Sequence, residues 1–171
     1  MERAILCPKN ESVDDINSRL IQRLTGKEVI YISDDRAKNL MDQGDYIDYL
    51  TSLEPRGLPP HKLLLKINSP DSLEPNLSDN KYSIPFVRRQ IPLKLCFAMT
   101  INKSQAQTLD FVGIYLRQPV FTHGQLYVAM SRVKTGKNIR VLIIPPTCND
   151  LGTKYTTNVV YKEVLSKTRL N

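Results

Sequence analysis

"AMTINKSQAQTLD" (residues 98–110) sets a short apolar start against a polar cluster of Asn102, Lys103, Ser104, Gln105 and Gln107. Read with the preceding "LKLCF" (93–97), it is a buried strand that ends in one cation and a row of hydrogen-bonding side chains. Open parallel α/β sheets meet their ligands at the carboxyl ends of their strands, and a phosphate-bearing partner suits such an end. Lys103 offers a point charge for phosphate, and Ser104, Gln105 and Thr108 offer neutral donors that hold a nucleic-acid backbone in register. From spacing alone, a solvated loop whose amides serve its own backbone is the better account of the pattern.

Outward from this stretch, strand and helix patterns alternate. Downstream come a strand "FVGIYL" (111–116), a helix "THGQLYVAMSRV" (122–133) and a strand "IRVLII" (139–144). Thr122 and Gln125 are placed as a capping box, with Leu126, Ala129, Met130 and Val133 as the buried stripe. Gln125 and Arg132, seven residues apart, then share one flank of that helix. An arginine so placed is either a bidentate anion binder that neutralises charge on a transferring phosphoryl group, or a surface residue with its stem on its neighbours.

Upstream, "AILC" (4–7) reads as a strand and "SVDDINSRLIQRL" (12–24) as a helix with a Ser12/Asp15 capping box. "EVIYIS" (28–33) reads as a strand, and "DDRAKNLMDQGDYIDYLTSLEP" (34–55) as helical pieces broken near Gly44. Prolines at 59, 60, 70, 75, 85 and 92 forbid long regular elements in the next stretch and leave only "HKLLLKI" (61–67) as a strand. The tail from Pro145 is polar, either a short helix around "VVYKEVLSK" (159–167) or a mobile end. Alternation of this kind predicts the α/β class.

The 171 residues suit one ordinary domain, and 41% hydrophobic with 24% charged residues is the balance of a globular chain. No apolar run approaches the roughly 20 residues that a bilayer span needs, and the N-terminus lacks a signal-peptide core. A membrane role is not expected, and an intracellular, reducing setting is. Cys7, Cys96 and Cys148 are then free thiols; with only His61 and His123 beside them they give no zinc spacing, so no metal ligands are assigned. A net charge of +7 and a pI near 9.4 favour a polyanionic partner.

Taken together, "FAMTINKSQAQTLD" and "THGQLYVAMSRV" resemble motifs V and VI of superfamily 1B DNA helicases, specifically the Pif1-like group and the related Helitron transposon helicases. "AILCPKNESVDDIN" (4–17) resembles their motif IV, at the start of the second RecA-like domain, and "GLPPHKLLLKINSP" (57–70) their proline-marked strand. The resemblance implies one RecA-like, P-loop NTPase-like domain with a mainly parallel sheet and a truncated 2B insertion. Its parts are residues 1–55 (motif IV), 56–92 (remnant of the insertion), 93–146 (motifs V and VI) and 147–171 (tail). The implied function is the C-terminal portion of an ATP-dependent 5′–3′ helicase of DNA repair and recombination, nuclear in a eukaryote, with ATP and Mg as cofactors of the intact family. The resemblance assigns single-stranded DNA contacts to Asn10, Thr100, Lys103, Ser104, Gln105 and Thr108. It assigns an arginine finger to Arg132, with Gln125, Tyr127 and Ser131 around the nucleotide. Lys103 and Arg132 are expected to project into one groove at a sheet edge.

Three departures qualify what is expected. Ala106 stands where the family motif has glycine, a strained choice wherever φ is positive. "DSLEPNLSDNKYSIPFVRRQ" (71–90) replaces most of the insertion. Neither Gly26-Lys27 nor Gly136-Lys137 fits the G-x-x-x-x-G-K-[ST] pattern, and Asp34 and Asp35 after "VIYIS" are expected to cap the following helix rather than serve a phosphate site. The chain alone is therefore expected to bind no ATP and to lack activity, with a separate ATP-binding helicase half as its partner. The alternatives are a non-catalytic single-strand binding module and a decaying transposon-derived fragment. A hydrolase on Ser104 and His123 lacks a G-x-S-x-G elbow.

Overall fold

The computed structural model describes residues 3–38, 43–53, 59–73, 86–144 and 155–163. The chain opens with strand β1 (Arg3–Cys7), helix α1 (Asn10–Arg23), strands β2 (Glu28–Ile32) and β3 (Asp34–Ala37), and helix α2 (Gln43–Ser52). Strands β4 (Lys62–Lys66), β5 (Asp71–Leu73), β6 (Phe86–Arg89), β7 (Leu93–Leu95), β8 (Ala98–Thr100) and β9 (Phe111–Leu116) follow, then helix α3 (Gln125–Met130) and strand β10 (Ile139–Ile143). Contacts divide the chain into two compact units, Met1–Arg19 with Phe97–Asn171, and Leu20–Cys96.

The first unit is built on a four-stranded, wholly parallel sheet in the order β10-β9-β1-β8. Successive residues of a strand point to opposite faces, so an uninterrupted apolar run such as Ala4–Cys7 serves two cores at once. Ala4 and Leu6 join Val112, Ile114 and Leu116 of β9 on one face, under Ile101, Leu109, Val120 and Ala129. Cys7 packs on the other face with Val13 of α1 and Ala98 of β8, beside Ile5, Ile16 and Tyr115. Asn17, buried among these apolar side chains, exchanges hydrogen bonds with Ala98: its Nδ2 donates to the Ala98 carbonyl (3.1 Å) and its Oδ1 accepts from the Ala98 amide (2.8 Å). Among the described residues β8 is the last strand of the sheet, and this side-chain amide takes the place of a further strand at that residue.

Among its described residues the second unit holds α2 and three antiparallel pairs, β2 with β4, β3 with β6 and β5 with β7. Ala37, Leu50 and Phe86 form its buried apolar cluster, with Leu53 against it. At the centre lies an ion pair: Arg88 donates from Nε and Nη2 to the two carboxylate oxygens of Asp35, both at 2.8 Å. The remaining Arg88 donors meet the carbonyls of Leu50 and Leu53 at 3.0 Å and of Pro59 at 3.3 Å. His61 Nδ1 and the Ser33 hydroxyl close the cluster around Asp35.

Several local expectations are corrected. Asp34 and Asp35 do not cap a helix, because Asp35 is drawn inward by Arg88 and the stretch 34–37 pairs as β3. Gly44 lies inside the first turn of α2 rather than at a break. "LKLCFAMTI" is not one strand: β7 pairs with β5 in the second unit, and β8 pairs with β1 in the first. The switch is made at Cys96, whose amide donates to the Pro70 carbonyl, and Phe97, whose carbonyl accepts from Ile5. Helix α1 starts at Asn10, so Ser12 is buried inside it and makes no capping box. The helix option at 159–167 falls partly outside the described residues, and 155–161 are irregular. Cys148 also lies outside them.

Candidate functional site

β8 ends at Thr100, and the chain turns at once into a single 3-10 turn, Asn102–Ser104. The Thr100 hydroxyl accepts from the Lys103 amide at 3.4 Å, and Lys103 is exposed at the middle of the turn. Ser104 is fully buried and its hydroxyl donates to the Ile101 carbonyl at 2.7 Å, so that side chain holds the turn from within rather than facing a ligand. Gln105 and Thr108 are exposed. Asn10, the first residue of α1, is exposed close to the carboxyl end of β1.

Residues 104–107 form a type II β-turn. Gln105 has φ −56° and ψ 141°, Ala106 has φ 63°, and the Gln107 amide donates to the Ser104 carbonyl at 3.1 Å. The third position of this turn type demands positive φ, which glycine adopts freely and alanine resists. The strain foreseen for Ala106 is therefore present.

The second stretch is shorter than its sequence pattern. α3 spans only Gln125–Met130 and is preceded by Gly124 at φ 73°. Thr122 provides no side-chain cap; its carbonyl accepts from the Gln125 amide, and Gln125 Oε1 reaches past it to the Phe121 amide at 3.1 Å. The left-handed Gly124 supplies the bend that a capping box would otherwise make. Ala129 is buried, but Met130 is 48% exposed and leaves the expected stripe, and Tyr127 stands out at 74%. Gln125 Nε2 is buried without a hydrogen-bond partner.

Arg132 follows the helix rather than sharing a flank with Gln125. Its Nε donates to the Val128 carbonyl (2.8 Å), Nη2 to the Ser131 hydroxyl (2.8 Å), and Nη1 to the carbonyls of Ser104 and Gln107, both at 3.1 Å. The Arg132 carbonyl also accepts from the Leu109 amide at 2.8 Å. The structure thus brings Arg132 onto the loop that carries Lys103, with the guanidinium directed at the loop's own carbonyls. Sequence reasoning missed Gln107 as its partner, since a backbone carbonyl leaves no trace in residue type. The hydrolase alternative loses its pair: Ser104 bonds to Ile101, while His123 stacks on Tyr161 at 4.9 Å and its Nδ1 accepts from the Tyr161 amide at 3.1 Å.

With this geometry in view, likeness to known proteins becomes informative. The chain matches no protein-family profile. It is 33% identical over 134 residues to the ATP-dependent DNA helicase Pif1 of Mus musculus, covering 76% of this chain and 20% of that protein. To the Rattus norvegicus Pif1 it is 50% identical over 60 residues, 35% of this chain and 9% of the relative. The chain is a homologue of the Pif1 helicases. Its fold agrees: a crystal structure of Candida albicans Pif1 superposes with a TM-score of 0.69 at 19% identity, covering 100% of this chain and 50% of that one. Bacteroides Pif1 bound to single-stranded DNA gives 0.62 at 19% identity, with 98% and 45% covered. The Pif1-like chain therefore has the RecA-like helicase fold, carried by its parallel sheet, while spanning a small fraction of its curated relatives and about half of the solved structures.

A nucleotide site needs a phosphate cradle. The two Gly-Lys pairs lack its flanking pattern, and Gly136–Asn138 is an isolated 3-10 turn with no buried residue. Among the described residues no three His, Cys, Asp or Glu side chains gather as a metal site. Neither Gly-Lys pair supplies that cradle, so no hydrolytic step is derived from them. No helix among the described residues is long and apolar enough to cross a membrane.

Proposed function

We propose that this chain is the C-terminal RecA-like portion of an ATP-dependent, 5′–3′ Pif1-like DNA helicase that grips single-stranded DNA through residues 102–108. In this reading Lys103 sets a positive charge beside a phosphate. Thr100 and Gln105 with Thr108 offer neutral contacts, and Asn10 lies near the strand at the neighbouring strand end. Arg132 completes a nucleotide site on a partner half, with Gln125, Tyr127 and Ser131 beside it. Residues 56–92 are the remnant of the 2B insertion. The observation that supports the reading is the direct bonding of Arg132 to the loop at Ser104 and Gln107, the two stretches to which the reading assigns the nucleotide and the strand.

The test is a titration of the purified chain with a fluorescent oligothymidylate at two salt concentrations. Binding should weaken steeply with salt, and Lys103→Ala should lower the salt slope by about one unit. Binding that ignores salt or Lys103 overturns the DNA assignment. The chain alone should not turn over ATP; turnover that disappears in Arg132→Ala would show a complete site. A non-catalytic single-strand binding module is the second reading, favoured by the lack of a G-x-x-x-x-G-K-[ST] cradle in the sequence. It predicts that adding a Pif1 ATP-binding half restores no ATP turnover, whereas the first reading predicts turnover dependent on Arg132.

A further inference from the structure

A guanidinium carries five N–H groups, and four of those on Arg132 are taken up within the chain. Both hydrogens of Nη1 go to the two ends of one turn, Ser104 and Gln107. That turn has a single hydrogen bond of its own, from the Gln107 amide, and holds Ala106 at φ 63° against its intrinsic preference. Left alone, such a turn would relax to a conformation with Ala106 at negative φ, and the residues on either side would reorient. The bridge from Nη1 opposes that relaxation.

We propose that Arg132 is a positioning residue for the single-strand-binding loop. Its guanidinium clasps the strained Ser104–Gln107 turn and so fixes the directions in which Lys103, Gln105 and Thr108 meet a phosphodiester strand. The proposal rests on reading residues 102–108 as the DNA contact. It assigns to Arg132 a task in DNA binding that needs no nucleotide, beside its assignment to the nucleotide site. It also explains how the chain keeps alanine at a glycine position: the strain is opposed from outside the turn.

The experiment compares Arg132→Ala, Arg132→Lys, Ala106→Gly and the Arg132→Ala/Ala106→Gly pair in the full 171-residue chain. Amide exchange at Gln107 reports the turn without DNA, and oligothymidylate anisotropy reports binding. Arg132→Ala should speed Gln107 exchange and weaken binding by about tenfold, equivalent to about 1.4 kcal/mol. Arg132→Lys should do nearly the same, because one ammonium cannot bridge two carbonyls as a planar fork does. Adding Ala106→Gly to Arg132→Ala should restore slow exchange and most of the affinity, since glycine holds positive φ unaided.

Wild-type binding in Arg132→Lys would show that charge, not the clasp, is what DNA senses, and would overturn the proposal. So would unchanged Gln107 exchange in Arg132→Ala, or failure of the glycine rescue. If Arg132→Ala does not fold, the lysine variant and the paired variant decide the question. If the wild-type chain binds no oligothymidylate, the reading of the loop as a DNA contact fails, while Gln107 exchange still decides whether Arg132 holds the turn.

Discussion

Asn17 and Ala98, 81 residues apart, exchange two hydrogen bonds, so that a side-chain amide completes the outermost strand of the parallel sheet. Asn17→Ala would leave the Ala98 amide and carbonyl without these partners inside a closed core. At about 1–3 kcal/mol for each of the two buried groups left unsatisfied, the substitution should destabilise the chain by about 2–6 kcal/mol in urea denaturation. Asn17→Asp keeps the acceptor and loses the donor, and should also destabilise. An Ala variant within experimental error of wild type would mean that water serves Ala98 as well as Asn17 does.

Ala106 gives the second prediction. Relieving a left-handed alanine gains about 1–2 kcal/mol, and glycine's extra freedom in the unfolded chain takes back about 0.4–1, so Ala106→Gly should stabilise by about 0.5–1 kcal/mol. Ala106→Val, branched at Cβ, should destabilise instead. A shift of the thermal midpoint in the same direction for both would contradict the turn assignment.

How far the sequence reached can be traced residue by residue. The apolar runs 4–7 and 111–116 were legible as strands because a parallel strand flanked on both sides leaves a continuous hydrophobic signature, and 139–143 was legible from its β-branched apolar residues although Arg140, Val141 and Leu142 are exposed in β10. The antiparallel pairs of the second unit left weaker marks. β3 is "DDRA", three charges in four residues, and becomes a strand only because Arg88, distant in sequence, neutralises Asp35. The cluster at 102–108 was visible from composition, and the awkward alanine from the resemblance to a helicase motif that has glycine at that position. Its link to Arg132 was not, because the acceptors are main-chain oxygens. The six-residue length of α3 was also hidden: the apolar spacing continues past Met130, but Ser131 and Arg132 bond back to Val128 and end it.

Cys7 supplies a pH-dependent prediction. Burial in the sheet core pushes its thiol up from 9.0 to about 12, since a thiolate there would lose its hydration. The unfolded thiol ionises first, so the folded state holds the proton longer. The contribution is constant below pH 9 and is lost as pH rises from 9 towards 12, at up to about 1.4 kcal/mol per pH unit. Between pH 8 and pH 10 the stability of wild type should fall relative to Cys7→Ala by about 1.4 kcal/mol. Parallel pH curves for the two proteins would place the thiol in water.

Arg88 and Asp35 test whether the second unit depends on its buried ion pair. Both side chains are fully enclosed, and Arg88 also holds the carbonyls of Leu50, Leu53 and Pro59. Removing one charge leaves the other uncompensated, so Arg88→Ala or Asp35→Ala should each cost about 3–5 kcal/mol. For a pair valued only for its mutual attraction, replacing both partners with apolar residues is close to neutral. Here Asp35→Leu/Arg88→Met should remain destabilised by about 1–3 kcal/mol, because the Leu53 and Pro59 carbonyls lose the Arg88 donor whatever replaces the carboxylate, while the Leu50 carbonyl keeps the Leu53 amide. Chemical denaturation of the three variants separates the terms. A double variant as stable as wild type would show that the carbonyl contacts contribute nothing, and a double variant as unstable as Arg88→Ala would show that they account for the whole effect.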